Sequence, residues 1–357
     1  MFWDGFNRRP RLILLLTAML VAALSTRCTL PIATTEPYVD AVQQLKERRA
    51  DVDAYARQCF TQGWGADPAY GTMTRRQAHA KAEQLVAVHT ARLAAWETCH
   101  REIGPKLEAY RDAVEQAKAR IPSAPHVGSP DADRIGQLLD ESVQSTTALA
   151  REAFPTVVEL ERAYLEHFRQ LQAGTPGGKK RLAFPDHIER RERQVIRAMH
   201  QQVASAAAYA EALHRLAPSP ETRARMNTAR IMAAIYRGLD GATADDARTD
   251  AERFSGFRRE VQAARSIVEG ELDDPAYAQF RPKTVARYRT MLGELKKADA
   301  TLGKLVTLAE RGPNGGKAAR SGKVLARFQT QTGKLLTSVR AIVTRVEGLA
   351  QSIDAEP

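Results

Sequence analysis

The sequence predicts an all-α protein, an elongated multi-helix bundle ending in a C-terminal antiparallel coiled-coil hairpin. Three observations carry this expectation. Apolar residues recur at intervals of three and four throughout, which is the helical period, and no segment alternates as a half-buried strand does. Only 6% of the residues are aromatic while 27% are charged, a composition suited to helices with narrow apolar stripes and poor in the bulk of a thick globular core. The longest regular run, Leu325, Phe328, Thr332, Leu335, Val339, Ile342, Val346, Leu349 and Ile353, steps alternately by three and four, the seam of a heptad repeat.

Proline and glycine divide the chain into elements. A first helix is expected over about 38–60, burying Val42, Leu45, Val52, Tyr55 and Cys59, and the Gly63-Trp64-Gly65-Ala66-Asp67-Pro68 stretch ends it. A second runs from near Thr74 to Ile121 with a bend at Gly104-Pro105, and Ser123-Ala124-Pro125 and Gly128-Ser129-Pro130 form the loop after it. From 131 to 172 the stripe Ile135, Leu139, Thr146, Leu149, Leu160, Tyr164 and Leu171 keeps its phase, with Pro155 as a kink. The Gly- and Lys-rich stretch 175–180 is a flexible connector. Asp186, three residues before Glu189, is placed to cap the next helix, and Ser219-Pro220 opens the one after it with a side-chain cap and a preset φ. Phe254, Phe257, Val261, Ala264, Val268 and Leu272 mark a further helix.

The hairpin follows. A helix over 317–353 would be ~55 Å long at 1.5 Å per residue. Its partner runs over 282–311 through Val285, Tyr288, Leu292, Leu295, Leu302 and Leu305, and the short Gly312-Pro313-Asn314-Gly315-Gly316 loop makes the two antiparallel neighbours. The seam serves either a bundle within one subunit or an intermolecular coiled coil, which would make the C-terminal helices a route to a homo-oligomer. The breaks in composition give an N-terminal helical region 26–172, a linker 173–186, a middle region 187–274 and a basic hairpin 275–357.

The first residues point to export. Arg8, Arg9 and Arg11 precede an uncharged run over 12–24, too short to span a ~30 Å hydrocarbon core but of the length of a signal-peptide h-region. Cleavage after Ala23-Leu24-Ser25 would make residues 1–25 the signal peptide. Leu24-Ser25-Thr26-Arg27-Cys28 resembles the lipobox of bacterial lipoproteins, which implies a diacylated Cys28 as a membrane tether and a signal ending at residue 27. Arg27 stands where that pattern has a small residue. Either route delivers the chain to the bacterial periplasm or anchors it in the envelope.

Charge is concentrated at the other end. Residues 275–357 hold fifteen Lys and Arg against six Asp and Glu, or +9, and residues 1–25 add +2, which together make up the formal net charge of +11. Arg320, Lys323, Arg327 and Lys334 fall along one stripe of the last helix, opposite its apolar seam. The stripe is either a solvated face or a surface for lipid phosphates, anionic envelope polymers or an acidic envelope protein. The export signal and the lack of interleaved aromatics on which bases could stack argue against nucleic acid.

Cys59 and Cys99 remain as a pair if Cys28 is acylated, in a compartment that oxidises thiols. A hairpin tip near Asp67 would place Cys59 opposite about residue 75 and leave Cys99 ~35 Å further along the helix. A disulfide needs Cα atoms within ~7 Å. Either the bond is absent or residues 61–83 make a longer excursion.

Two Glu-x-x-His pairs, Glu97 with His100 and Glu211 with His214, have Glu47 and Glu161 about 50 residues upstream. This pattern resembles the carboxylate-bridged di-iron site of ferritin-like bundles and implies a helical-bundle metalloprotein. The stretch 316–323 fails as a phosphate-binding loop, because its spacing is one residue too long, Val324 replaces Ser or Thr, and no strand precedes it. No nucleophile or acid–base constellation is legible, and no cofactor is implied. The reading favoured by the sequence is therefore an exported, non-catalytic envelope scaffold or adaptor, with the metalloprotein as the alternative.

Overall fold

Helix starts are encoded by side chains that satisfy the first free N–H groups. Thr74 and Thr249 each form a reciprocal capping box, with Gln77 and Glu252 respectively. Ser219 Oγ accepts from the Thr222 amide at 3.2 Å. Asp186 lies in the first turn of its helix, where its charge complements the helix dipole, and the Pro185 carbonyl accepts from the amides of Ile188 and Glu189.

The computed structural model describes residues 36–64, 73–124, 127–175, 182–243, 248–274, 281–311 and 322–354, with the side chains of 36, 60, 61, 63, 64, 123, 129, 199, 204, 205, 243, 322–330, 332 and 333 excepted. The expected signal segment, Cys28 and Arg320 lie outside the described residues. About 92% of what is described is helical and no strand occurs there. The helices are α1 (Glu36–Trp64), α2 (Arg75–Ala80), α3 (Ala82–Arg120), α4 (Ser129–Ala148), α5 (Phe154–Ala173), α6 (Asp186–Leu216), α7 (Pro220–Thr243), α8 (Asp250–Leu272), α9 (Pro282–Arg311) and α10 (Gly322–Asp354). None of them is long and apolar enough to cross a membrane. Packing divides the chain between Leu216 and Ala217. Composition places its breaks at 173–186 and 275 instead, because Pro and Gly mark where the chain turns and not which helices share a core.

In the N-terminal unit α3 packs on α1 and α5, and α6 on α4 and α5. α1 runs past the expected stop near Phe60 to Trp64, the second expected helix is broken at Lys81, and α3 continues through Pro105 to Arg120, as expected. Between α4 and α5 the residues Leu149–Ala153 form a π-helical turn. It immediately precedes Pro155, which has no N–H to return to the 151 carbonyl, so the wider turn accommodates the proline without ending the helix. Cys59 and Cys99 are disulfide-bonded with Cα atoms 5.8 Å apart, both in the core with Trp96, Ile103 and Phe154. The hairpin tip near Asp67 therefore does not set the register of α1 on α3; the chain travels further, through α2, before α3 returns.

One buried cation in this unit is bonded to several helices at once. Arg49, 1% exposed, donates from Nε to Asp53 at 2.9 Å and from Nη1 to Ser142 at 3.1 Å and Thr146 at 2.9 Å. Its guanidinium also lies over the rings of Tyr110 and Tyr209. One cation thus ties α1 to α3, α4 and α6. Tyr38 donates to the Leu216 carbonyl at 2.6 Å, taking up an acceptor at the end of α6 that has no partner within the helix.

The C-terminal unit is a four-helix bundle: α7 packs on α8, α8 on α9, α9 on α10, and α10 back on α7. Gly238 allows α7 to approach α8 closely, since a Cβ there would lie 2.2 Å from the Phe257 ring. Val339, Ile342, Val346 and Ile353 of the heptad run are buried, whereas Leu335 and Leu349 are half-buried. Two carboxyls fix α10 to α7. Glu347, fully buried, accepts from the Tyr236 hydroxyl, and Asp354 accepts from Thr228 Oγ1 at 2.6 Å. Burial pushes both carboxyls up to about 7, against which the single hydrogen bonds act weakly.

Two predictions follow from these contacts. Replacing both Cys59 and Cys99 by Ala is expected to lower stability by roughly 4 kcal/mol, the chain-entropy value for a loop of that length. The thermal midpoint under non-reducing conditions reads this, and an unchanged midpoint would show that the bond adds nothing. For Glu347 the sign is set by a folded-state pKa above the unfolded one. Its stabilisation is complete below about pH 4.5, declines as pH rises and is gone above about pH 7, a change of about 3 kcal/mol. Glu347→Gln keeps an acceptor for Tyr236 without the ionisation, so its melting temperature should fall less between pH 5 and 8 than that of the wild type. Parallel profiles would contradict the assignment.

Candidate functional site

The core positions of α9 run from Thr284 to Leu305 and then stop, while the helix continues to Arg311. In α10 the described core positions begin at Val339. The two helices are antiparallel: Glu294 pairs with Arg345 at 2.6 Å, while Lys304 and Arg311, further along α9, line one cleft with Gln331 and Lys334, nearer the start of α10. A cleft of about 740 Å³ opens there, between α8, α9 and α10.

Four cations line it: Arg258 from α8, Lys304 and Arg311 from α9, and Lys334 from α10. Arg258 donates from Nε to Asp299 at 2.7 Å. Lys304, Arg311 and Lys334 are exposed and have no carboxylate partner among the described residues. Leu308 and Leu335 contribute apolar wall, and Thr307 and Gln331 polar groups. Such a cleft offers positive charge and N–H donors, the requirements for holding an oxyanion.

Of the four cations picked out in sequence, Lys334 is placed in this cleft. It stands beside Leu335 on the cleft wall and not on a face opposite the seam, because the seam opens at Leu335 where the bundle is no longer filled. The side chains of Lys323 and Arg327 lie outside the described residues. Arg258, Lys304 and Arg311 were not singled out in sequence. The excess of basic residues after 275 signals the two on α9, but Arg258 belongs to another helix and no spacing connects it to them.

The Glu-x-x-His pairs do not converge. Glu97 pairs with Arg162 at 2.6 Å and His100 is exposed, while Glu211 pairs with Arg215 at 3.2 Å and His214 is half-buried. Among the described residues no three His, Cys, Asp or Glu side chains gather as metal ligands would. Of their upstream glutamates, Glu47 accepts from Gln43 at 2.9 Å. Glu161 meets His89 Nδ1 at 2.5 Å with both side chains fully buried, and the imidazole stacks on Tyr164 and Phe168. That pair has the composition of an acid–base dyad but sits within packed aromatic rings, where no substrate reaches it without opening the bundle.

Comparison with known protein families, with curated proteins and with solved structures finds no match to this chain.

Proposed function

We propose that this protein is an exported, non-catalytic helical component of the bacterial envelope, a scaffold or adaptor whose C-terminal bundle docks on an anionic envelope surface. The observation that carries this reading is the cleft, lined by four cations of which only Arg258 has a carboxylate partner, Asp299, among the described residues. The Arg-led, uncharged start of the chain supports export, and a disulfide between Cys59 and Cys99 suits an oxidising compartment. In this reading α9 and α10 form a coiled-coil hairpin within the bundle. Each Lys or Arg near an anionic leaflet contributes about 1 kcal/mol, so the three unpaired cations supply a modest, salt-sensitive attachment.

Charge reversal tests it directly. The triple change Lys304→Glu, Arg311→Glu and Lys334→Glu should abolish co-sedimentation with vesicles of anionic phospholipid at low salt while leaving helical circular dichroism unchanged, since none of the three is buried. Wild-type binding should itself weaken as ionic strength rises, because exposed charges are screened over ~10 Å at 0.1 M. Equal sedimentation of the two proteins would reduce the cleft to an ordinary solvated surface.

Export has its own test. Cell fractionation and intact-mass spectrometry should find a mature chain outside the cytoplasm that begins at Thr26 or at an acylated Cys28. A cytoplasmic product retaining Met1 would remove the envelope from the proposal.

A further inference from the structure

The cleft holds one cation that differs from the rest. Lys304, Arg311 and Lys334 extend into solvent, but Arg258 is held at one end. Its Nε donates to Asp299 Oδ1 at 2.7 Å, and Asp299, 16% exposed, also accepts from Gln262 Nε2 at 3.0 Å and lies 3.7 Å from Arg265 Nη1. With Nε committed, the remaining guanidinium donors are on Nη1 and Nη2, which have no partner among the described residues. Opposite them on α9 is Gly303, where a Cβ would stand 3.5 Å from Arg258 Cζ and 3.6 Å from Nη1. An alanine there would only touch the guanidinium in ordinary van der Waals contact, whereas a branched side chain such as leucine would extend over it.

We infer that the cleft is a phosphate site, with Arg258 as the residue that recognises the phosphate and Asp299 as the residue that orients it. This inference rests on the reading of the cleft as an anion-docking element and adds the chemical class of the anion. A carboxylate carries one charge and two acceptor oxygens. A phosphomonoester carries roughly −1.5 to −2 at neutral pH and three acceptor oxygens, which matches a planar pair of N–H donors flanked by three further cations. Leu308 and Leu335 on the walls give an apolar lining to whatever bears the phosphate, so a lipid headgroup and a small soluble phosphomonoester share the required chemistry.

The test uses the full chain and two kinds of probe. Glycerol phosphate is titrated calorimetrically against acetate, and vesicles of phosphatidic acid are compared with vesicles of phosphatidylglycerol adjusted to equal surface charge. The inference expects saturable binding of glycerol phosphate over acetate, or preference for phosphatidic acid over phosphatidylglycerol, the first pointing to a soluble ligand and the second to a lipid. In whichever arm shows the preference, Arg258→Lys should weaken it by about tenfold, since lysine keeps the charge but loses the oriented fork. Gly303→Leu should weaken it without altering charge, and Arg289→Gln, a change at an exposed cation on α9 outside the cleft lining, should not. The absence of preference in both arms, or an Arg258→Lys protein that discriminates as the wild type does, would overturn the phosphate assignment. Failure of the docking reading looks different: no vesicle of either composition binds, while the glycerol phosphate titration still decides the question of chemistry.

Discussion

Everything in the C-terminal unit depends on α9 having two neighbours. A helix packed on two neighbours must keep apolar or small side chains along the faces that meet them, and from Thr284 to Leu305 it does, with Tyr288, Met291, Leu295, Ala298 and Leu302 buried against α8 and α10. The six residues from there to Arg311 add about 9 Å of helix and carry no buried side chain. The cleft is what remains where this helix outruns the core that its neighbours supply. Its charges belong there for a second reason: Arg311 lies in the last turn of α9, where a cation complements the negative end of the helix dipole.

The wall formed by α10 has its own support. Glu347 and Asp354 both lie in the second half of that helix and bond to Tyr236 and Thr228 on α7, so α10 is anchored at one end while Gln331, Lys334 and Leu335 project at the other. Burying two carboxyls is costly unless they are protonated or well paired; Glu347 accepts from the neutral Tyr236 hydroxyl, and Asp354 from the Thr228 hydroxyl with the charge of Arg225 nearby, and in both burial outweighs these contacts. The anchor is consequently stronger in acid than at alkaline pH. In the N-terminal unit the corresponding problem is solved differently, with Arg49 paired to Asp53 and bonded to Ser142 and Thr146, so that its positive charge is compensated in place.

Local chemistry was legible in the sequence and distant pairing was not. Ser219-Pro220 marks the start of α7 because capping is decided within three residues. Pro155 marks a distortion because a missing N–H acts on the preceding turn, although nothing in the sequence shows that it takes the form of a π-helical turn. The heptad positions Val339 to Ile353 indicate which side of α10 is apolar, but Leu335 satisfies the same pattern and is only half-buried, since periodicity does not show where the opposing helix stops filling the groove. The register of α1 on α3 depends on how far the chain travels between Trp64 and Ala82, and counting from a turn signal at Asp67 misplaces Cys59 relative to Cys99. Arg258 is the clearest limit: its role comes from Asp299 and Gly303, some 40 residues away on another helix, and each of the three is unremarkable by itself.

Lys304 and Arg311 are seven residues apart, which is two turns or about 10.5 Å, close to the screening length at moderate salt. A flat anionic surface would meet the exposed cations almost independently, and each contact would fade as salt rises. A single phosphate inside the cleft meets Arg258 at hydrogen-bond range and at a position fixed by a mostly buried carboxylate, a separation well inside the ~10 Å over which salt screens. General adhesion and phosphate recognition therefore differ in salt dependence even though they share the same four cations. The ion pair of Arg258 with Asp299 causes that difference, because an oriented guanidinium has less freedom left to lose on binding than a lysine that must first be ordered.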